Sequence, residues 1–366
     1  MQENLTLSDA GHHFLLGLRP GVTLHDVDRA LLETVRPAGV IVYKDNFDQQ
    51  APYPEWHGKF TELVSEIGAR LGRDNFILSI DHEGGRVVRP PSPVTRFEYA
   101  ANWRENAGAV GRAMGRELAS LGFNLNYAPV VDINSNPANP VIGARAFGTS
   151  PQEVSEAAIA FALGQQSEHV LACAKHFPGH GDTTEDSHYT LPSAQADLAT
   201  LKGRELLPFA AAIAADIPMI MTSHLMVPAL DGERPVTLSA RAVRDYLRAE
   251  MGYQGVVVTD DVGMHAMDSY LPSPAVAPDI LAAGHDLIML CSHWTDTRKV
   301  LGFAEEILKA GQQDSYERDV LAPSRQRIDA LFKILPRNVP TLLPDSVFEA
   351  HRRLGSTFGG ERAEVV

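Results

Sequence analysis

What most restricts the fold of this chain is a recurrence of short, unbroken apolar runs, each followed by a segment with helical spacing. The runs lie in HHFLLGL, GVIVY, NFILSID, FNLNYAPVVD, VLACAKH, IPMIMTSH, GVVVTDD and HDLIMLC. Consecutive apolar residues without polar alternation describe strands covered on both faces, as in parallel sheets. Between them, TLHDVDRALLETV, WHGKFTELVSEIGARLG, AGAVGRAMGRELASLG, SPQEVSEAAIAFALGQQSEH, KGRELLPFAAAIAA and SARAVRDYLRAEMG read as helices, several ending in the glycine that suits a left-handed cap. The repeated β/α alternation predicts an α/β chain folded as a single (β/α)₈ TIM-like barrel over residues 1–335. A doubly wound open sheet is the competing arrangement. Residues 336–366 break the pattern and are expected to form a short helical extension packed on the barrel, with a frayed tail.

Charge and composition narrow the partners. The net charge is −14, from 46 acidic and 32 basic residues, and no lysine/arginine cluster occurs. Phosphate backbones need concentrated basic surface, so nucleic acid is an improbable partner and a small soluble substrate a better one. No run of about 18 apolar residues suggests a membrane span, and the first residues lack a basic segment before an apolar one. A soluble cytoplasmic protein, monomeric or weakly self-associating, is expected. Cys173 and Cys291 sit in or beside apolar runs, which fits buried thiols better than a disulfide.

The residues that follow the strands carry the functional signal. Lys44 and Asn46, Asp81, Asp132, Lys175 and His176, His224, and Asp260 with Asp261 each end an apolar run. In a barrel these ends share the C-terminal face, where barrel enzymes build their sites. Any one such residue can simply mark where a strand leaves the core; six strand ends together point to a pocket. In DHEGGRVVRP, Gly84 and Gly85 allow a tight turn, while Asp81, Arg86 and Arg89 suit either hydroxyl binding or structural ion pairs. In GVVVTDDVGM, Asp260 is expected at the barrel mouth and Asp261 on the opposite side, since strand residues alternate.

The stretch AKHFPGHGDTTEDSH concentrates three histidines in an irregular excursion after the fifth run. Asp186 and His188 are two apart, so in an extended segment the carboxylate can accept a hydrogen bond from the imidazole, orient it and raise its basicity. Such a histidine is a competent general acid/base. A metal reading would instead use His176, His180, Asp182 and His188, but the segment lacks a compact ligand spacing.

KHFPGHG followed by DSH and LP, together with DHEGGRVVR, GARAFG, MTSHLMVPALD and GVVVTDDVGM, resembles the bacterial β-N-acetylglucosaminidases of glycoside hydrolase family 3 from about Leu15 to Cys291. The resemblance implies a retaining hydrolase with Asp260 as nucleophile and His188 with Asp186 as an acid/base dyad on a mobile loop. It also implies that Asp81, Arg89, Arg145, Lys175 and His176 hold the terminal sugar, with His224 expected beside them at its strand end. No cofactor and no metal are implied. Two departures from the family pattern, Ala146 after Arg145 and the TDDVGM that follows the seventh run, put fine specificity in doubt. The expected reaction is removal of non-reducing terminal β-linked N-acetylglucosamine, with cell-wall fragments as substrate. The alternatives are phosphorolysis or β-glucosidase action on the same scaffold, a metal-dependent hydrolase, and an inactive sugar-binding protein.

Overall fold

The computed structural model describes residues 5–185, 190–291 and 297–358. Eight strands, β1 (Phe14–Gly17), β2 (Gly39–Val42), β3 (Ile77–Ile80), β4 (Leu125–Asn126), β5 (Leu171–Phe177), β6 (Met219–Thr222), β7 (Val256–Asp261) and β8 (Leu287–Leu290), run parallel and pair in chain order. Strand β8 returns to β1, with Leu15 opposite both Met289 and Gly39, so the sheet closes and the open-sheet alternative falls away. Each of the eight apolar runs supplies one strand.

Burial on both faces explains the unbroken runs. Leu15, Ile41, Ile77, Leu125, Met219 and Val256 share one buried cluster, while their neighbours Leu16, Val40 and Leu78 belong to clusters shared with the surrounding helices. Successive residues thus serve the barrel interior and the helical layer in turn. The helices include Asp26–Val35, Tyr53–Leu71, Ala107–Ser120, Pro151–Gln166 and Arg241–Glu250. Where KGRELLPFAAAIAA reads as one helix, the structure has two, Leu198–Gly203 and Leu207–Ala214, with Arg204 leaving the helical conformation at φ −136° and ψ −79°. Pro208 lies in the first turn of the second helix, a place that tolerates its missing N–H.

The C-terminal segment crosses the outside of the barrel. Asn338 accepts from the Phe76 amide at 3.1 Å, and the helix Asp345–Ser356 buries Phe348. His351 Nδ1 bonds the buried Glu117 carboxylate at 2.7 Å. The expected frayed tail falls largely on residues outside those described. Cys173 and Cys291 are both free and buried. Among the described residues, no helix is long and apolar enough to cross a membrane.

Candidate active site

The C-terminal ends of the strands open on a cavity of ≈ 600 Å³. Asp81, Arg89, Arg145, Lys175, His176 and Asp260 all line it, which brings six of the sequence-expected site residues to one place. Asp186 and His188 lie outside the described residues.

Lys175 and the turn after β3 form the cationic and anionic halves of one cluster. Lys175 Nζ sits 2.7 Å from Asp81 Oδ1 and 2.7 Å from Glu83 Oε1. Arg145 donates to both oxygens of Glu83, at 2.8 and 2.9 Å, in the two-pronged geometry that a guanidinium favours. Burial pushes the Glu83 carboxyl up, but Arg145 and Lys175 outweigh it and hold it far below the usual carboxylate range. Burial likewise favours neutral Lys175, and the charges of Asp81 and Glu83 overcome it, leaving an ammonium. Glu83 carries no strand-end signal in the sequence, because it stands within the turn between Asp81 and the arginines.

The turn geometry explains the glycines beside it. Gly84 and Gly85 have φ of +92° and +54°, and a Cβ on Gly85 would lie 2.3 Å from the Tyr99 ring. Only glycine fits both the backbone angle and the close approach. The turn thereby aims Glu83 and Arg89 at the same opening; the Arg89 guanidinium lies 5.6 Å over the Tyr43 ring. Among the described residues, Arg86 and Arg89 have no carboxylate partner.

Asp132, at the end of the fourth run, organises both imidazoles of the wall. It is fully buried and accepts from His176 Nδ1 at 2.7 Å and from the backbone amide of His180 at 2.7 Å. Burial raises its pKa, but these partners prevail and the net shift is downward. His180 Nδ1 meets Thr183 Oγ1 at 2.8 Å, and Asp182 pairs with Arg204 at 2.6 Å. Three of the four ligands in the metal reading are thus engaged with protein groups, and the fourth, His188, is outside the described residues. Among the described residues no set of three or more His, Cys, Asp or Glu side chains is placed to hold a metal.

Asp260 is the carboxylate with chemistry to spare. Its Oδ1 accepts the Asp261 amide at 2.8 Å, and among the described residues its other oxygen makes no hydrogen bond. Burial opposes its ionisation, yet His176, His224, the Asp261 amide and Lys175 bring its pKa below the ordinary value. Asp261 also borders the cavity rather than facing away, but its Oδ1 is taken by the amides of Gly263 and Cys291, both at 2.9 Å. That commitment to the backbone distinguishes Asp261 from Asp260, whose second oxygen stays open toward the cavity.

His224 departs from its expected role. It is fully buried and absent from the cavity wall, with Nδ1 bonded to Thr237 Oγ1 at 2.7 Å and Nε2 to the Asp261 carbonyl at 2.9 Å. Its ring supports the β7 end from behind, and Asn46 is similarly diverted to the Arg19 and Gly21 carbonyls.

Comparison with known proteins bears on this geometry. The profile of the glycosyl hydrolase family 3 N terminal domain matches residues 18–328. The chain is 36% identical to beta-hexosaminidase A of Pseudoalteromonas piscicida over 343 residues, 86% of this chain and 57% of that protein. It is also 36% identical to the beta-hexosaminidase of Methylococcus capsulatus over 275 residues, 73% of this chain and 80% of the relative. The solved family 3 beta-N-acetylglucosaminidase of Paenibacillus sp. superposes with a TM-score of 0.83 at 31% identity, covering 96% of this chain and 68% of that one.

Proposed function

Because this chain belongs to glycosyl hydrolase family 3, we propose that it is a retaining exo-glycosidase that removes non-reducing terminal β-linked N-acetylglucosamine. The observation that carries the proposal is Asp260, ionised at the cavity wall, with one oxygen uncommitted and opposite a saturated Lys175–Glu83–Arg145 cluster. The names of the relatives, beta-hexosaminidase and beta-N-acetylglucosaminidase, agree with it.

In this reading Asp260 attacks the anomeric carbon and forms a covalent glycosyl-enzyme while the glycosidic oxygen takes a proton and leaves. Asp81, Arg89 and His176 hold the sugar hydroxyls, and Arg145 and Lys175 fix the carboxylates among them. His188, oriented by Asp186, is the proton donor in the first step and the base that activates water in the second. A histidine in that role is neutral after it gives up its proton, so it does not repel Asp260 as a second carboxylate would. Fragments of cell-wall glycan are the substrate class that presents such a terminus, and a soluble cytoplasmic setting suits them.

A second acceptor is favoured by one feature. Arg86 and Arg89 stand at the wall without carboxylate partners among the described residues, so phosphate has a place to be drawn to. Incubation with a 4-nitrophenyl β-N-acetylglucosaminide, with and without phosphate and with and without a chelator, tests both. Release of nitrophenol insensitive to chelator and forming free sugar is the expected result. Formation of glycosyl phosphate would select phosphorolysis, and loss of activity on chelation would overturn the proposal.

A further inference from the structure

The approach to the predicted acid/base pair is fixed from outside the cavity. Residues Phe177 to Thr183 leave the end of β5, and the chain runs on to Asp186 and His188. Asn139 Nδ2 donates to the carbonyls of His180 and Thr183 at 2.8 and 2.9 Å. Gly181 lies so close to the neighbouring chain that a Cβ would meet the Ile133 carbonyl at 1.6 Å. These contacts pin the inner side of the segment.

The outer side is held by the helix break. Arg204 Nε donates to Glu205 Oε1 at 2.6 Å, and its Nη2 donates to Asp182 Oδ2 at 2.6 Å. One guanidinium therefore joins a buried carboxyl to a carboxylate four positions before Asp186. Glu205 is 1% exposed and packs directly beneath Gly179, where a Cβ would come within 2.9 Å of the Glu205 Cβ and 3.2 Å of its Oε2. Ser135 Oγ adds a bond to Oε1 at 3.1 Å, while Oε2 is buried without a partner among the described residues. A continuous helix through Lys202–Ala215 would not free Arg204 and Glu205 to reach this segment. Burying a carboxyl here is costly, and packing against the barrel alone does not call for it.

We infer that Arg204 and Glu205 are positioning residues for acid/base catalysis: they fix Asp182 and Gly179, and so the point from which the Asp186–His188 segment departs. The inference rests on the proposed acid/base role of that pair. Neither residue lines the cavity, so neither touches the sugar.

The leaving group separates this role from a merely structural one. A misplaced acid slows departure of a poor leaving group and hardly affects a good one, whereas a loosened fold slows both. The test measures kcat/KM for phenyl and 2,4-dinitrophenyl β-N-acetylglucosaminides with Arg204→Met, Arg204→Lys, Glu205→Gln and His188→Ala, each checked for folding by circular dichroism. Arg204→Met is expected to lose roughly 10- to 100-fold on the phenyl glycoside and less than about 3-fold on the dinitrophenyl one, with Arg204→Lys recovering part of the loss. Glu205→Gln, which keeps the shape, is expected to show the same contrast in weaker form. If His188→Ala shows the contrast and both Arg204→Met and Glu205→Gln slow the two substrates equally or not at all, the positioning role is overturned alone. If His188→Ala itself shows no contrast, the acid/base reading fails and takes the inference with it.

Discussion

The two mouths of the barrel contain the same ingredients and use them differently. At the N-terminal mouth Asp286 is fully buried; Arg248 bonds one of its oxygens at 2.5 Å, Arg327 the other at 2.9 Å, and the Val257 amide adds a third bond at 2.9 Å. At the C-terminal mouth Glu83 is saturated in the same manner by Arg145 and Lys175, but Asp81 and Asp260 each keep an oxygen free of protein hydrogen bonds among the described residues. Burial and a depressed pKa are common to Asp286 and Asp260. What differs is spare bonding capacity beside an opening. A perturbed buried carboxylate therefore marks a site only when its environment leaves something for a substrate to complete.

The largest effect that separates the mouths is expected from Asp260→Ala. Loss of the proposed nucleophile should lower kcat by at least about 10⁴-fold while thermal unfolding stays nearly unchanged. A comparable fall in melting temperature would show that Asp260 serves the fold as Asp286 does. Trapping with a fluorinated slow substrate should label Asp260; labelling of Asp261 would reassign the nucleophile.

His188→Ala comes next, with about 10²- to 10⁴-fold lost on unactivated substrates. With 2,4-dinitrophenyl substrate the first step needs no acid, so the glycosyl-enzyme should accumulate and added azide should release it as a β-glycosyl azide. A folded variant that gives neither rescue nor azide product would remove His188 from the mechanism.

The complementary change is Asp286→Ala. It strands two arginines inside the N-terminal mouth and is expected to cost about 3–5 kcal/mol of stability. Activity per folded molecule should hold, because nothing at that mouth reaches the cavity. A drop in kcat for the folded fraction would mean that the two networks are coupled through the strands.

The contrast also explains what could be read from the sequence. The strands were legible because each is buried on both faces and so is uniformly apolar, and Asp81, Lys175, His176 and Asp260 were legible because they directly follow such runs. His224 satisfies the same rule, yet its ring nitrogens are taken by Thr237 and the Asp261 carbonyl. No local pattern distinguishes a strand-end histidine that faces the cavity from one that braces its neighbour. Glu83 was hidden for the opposite reason: it lies in a turn, where alternation gives no direction. The break at Arg204 had a signal, Pro208, whose place at the start of a helix argues against a helix running through it. The acid/base pair lies outside the described residues and rests on the proposal alone.

The smallest expected effect compares two buried histidines, one following β3 and the other preceding β8. Burial pushes His82, after β3, down to about 4, and His285, before β8, down to about 3. Both therefore stay neutral in the folded protein at pH values where the unfolded chain, with an ordinary histidine pKa near 6.5, takes up protons. Their contribution to stability is complete above about pH 6.5 and is lost as the pH falls toward the folded values, each group adding a slope of about 1.4 kcal/mol per pH unit within that window. His285 bonds Thr222 Oγ1 at 2.9 Å and the Ile280 carbonyl at 3.1 Å, so His285→Phe would remove the slope but strand two polar groups. Neither ring nitrogen of His82 meets a partner among the described residues. His82→Phe should then reduce the slope between pH 6.5 and 4 by one proton while changing stability at pH 8 by less than His285→Phe does. Urea unfolding of both variants across that range measures the two quantities together. An unchanged slope in His82→Phe would mean that the native His82 is already protonated and that its burial is compensated by Glu117 nearby.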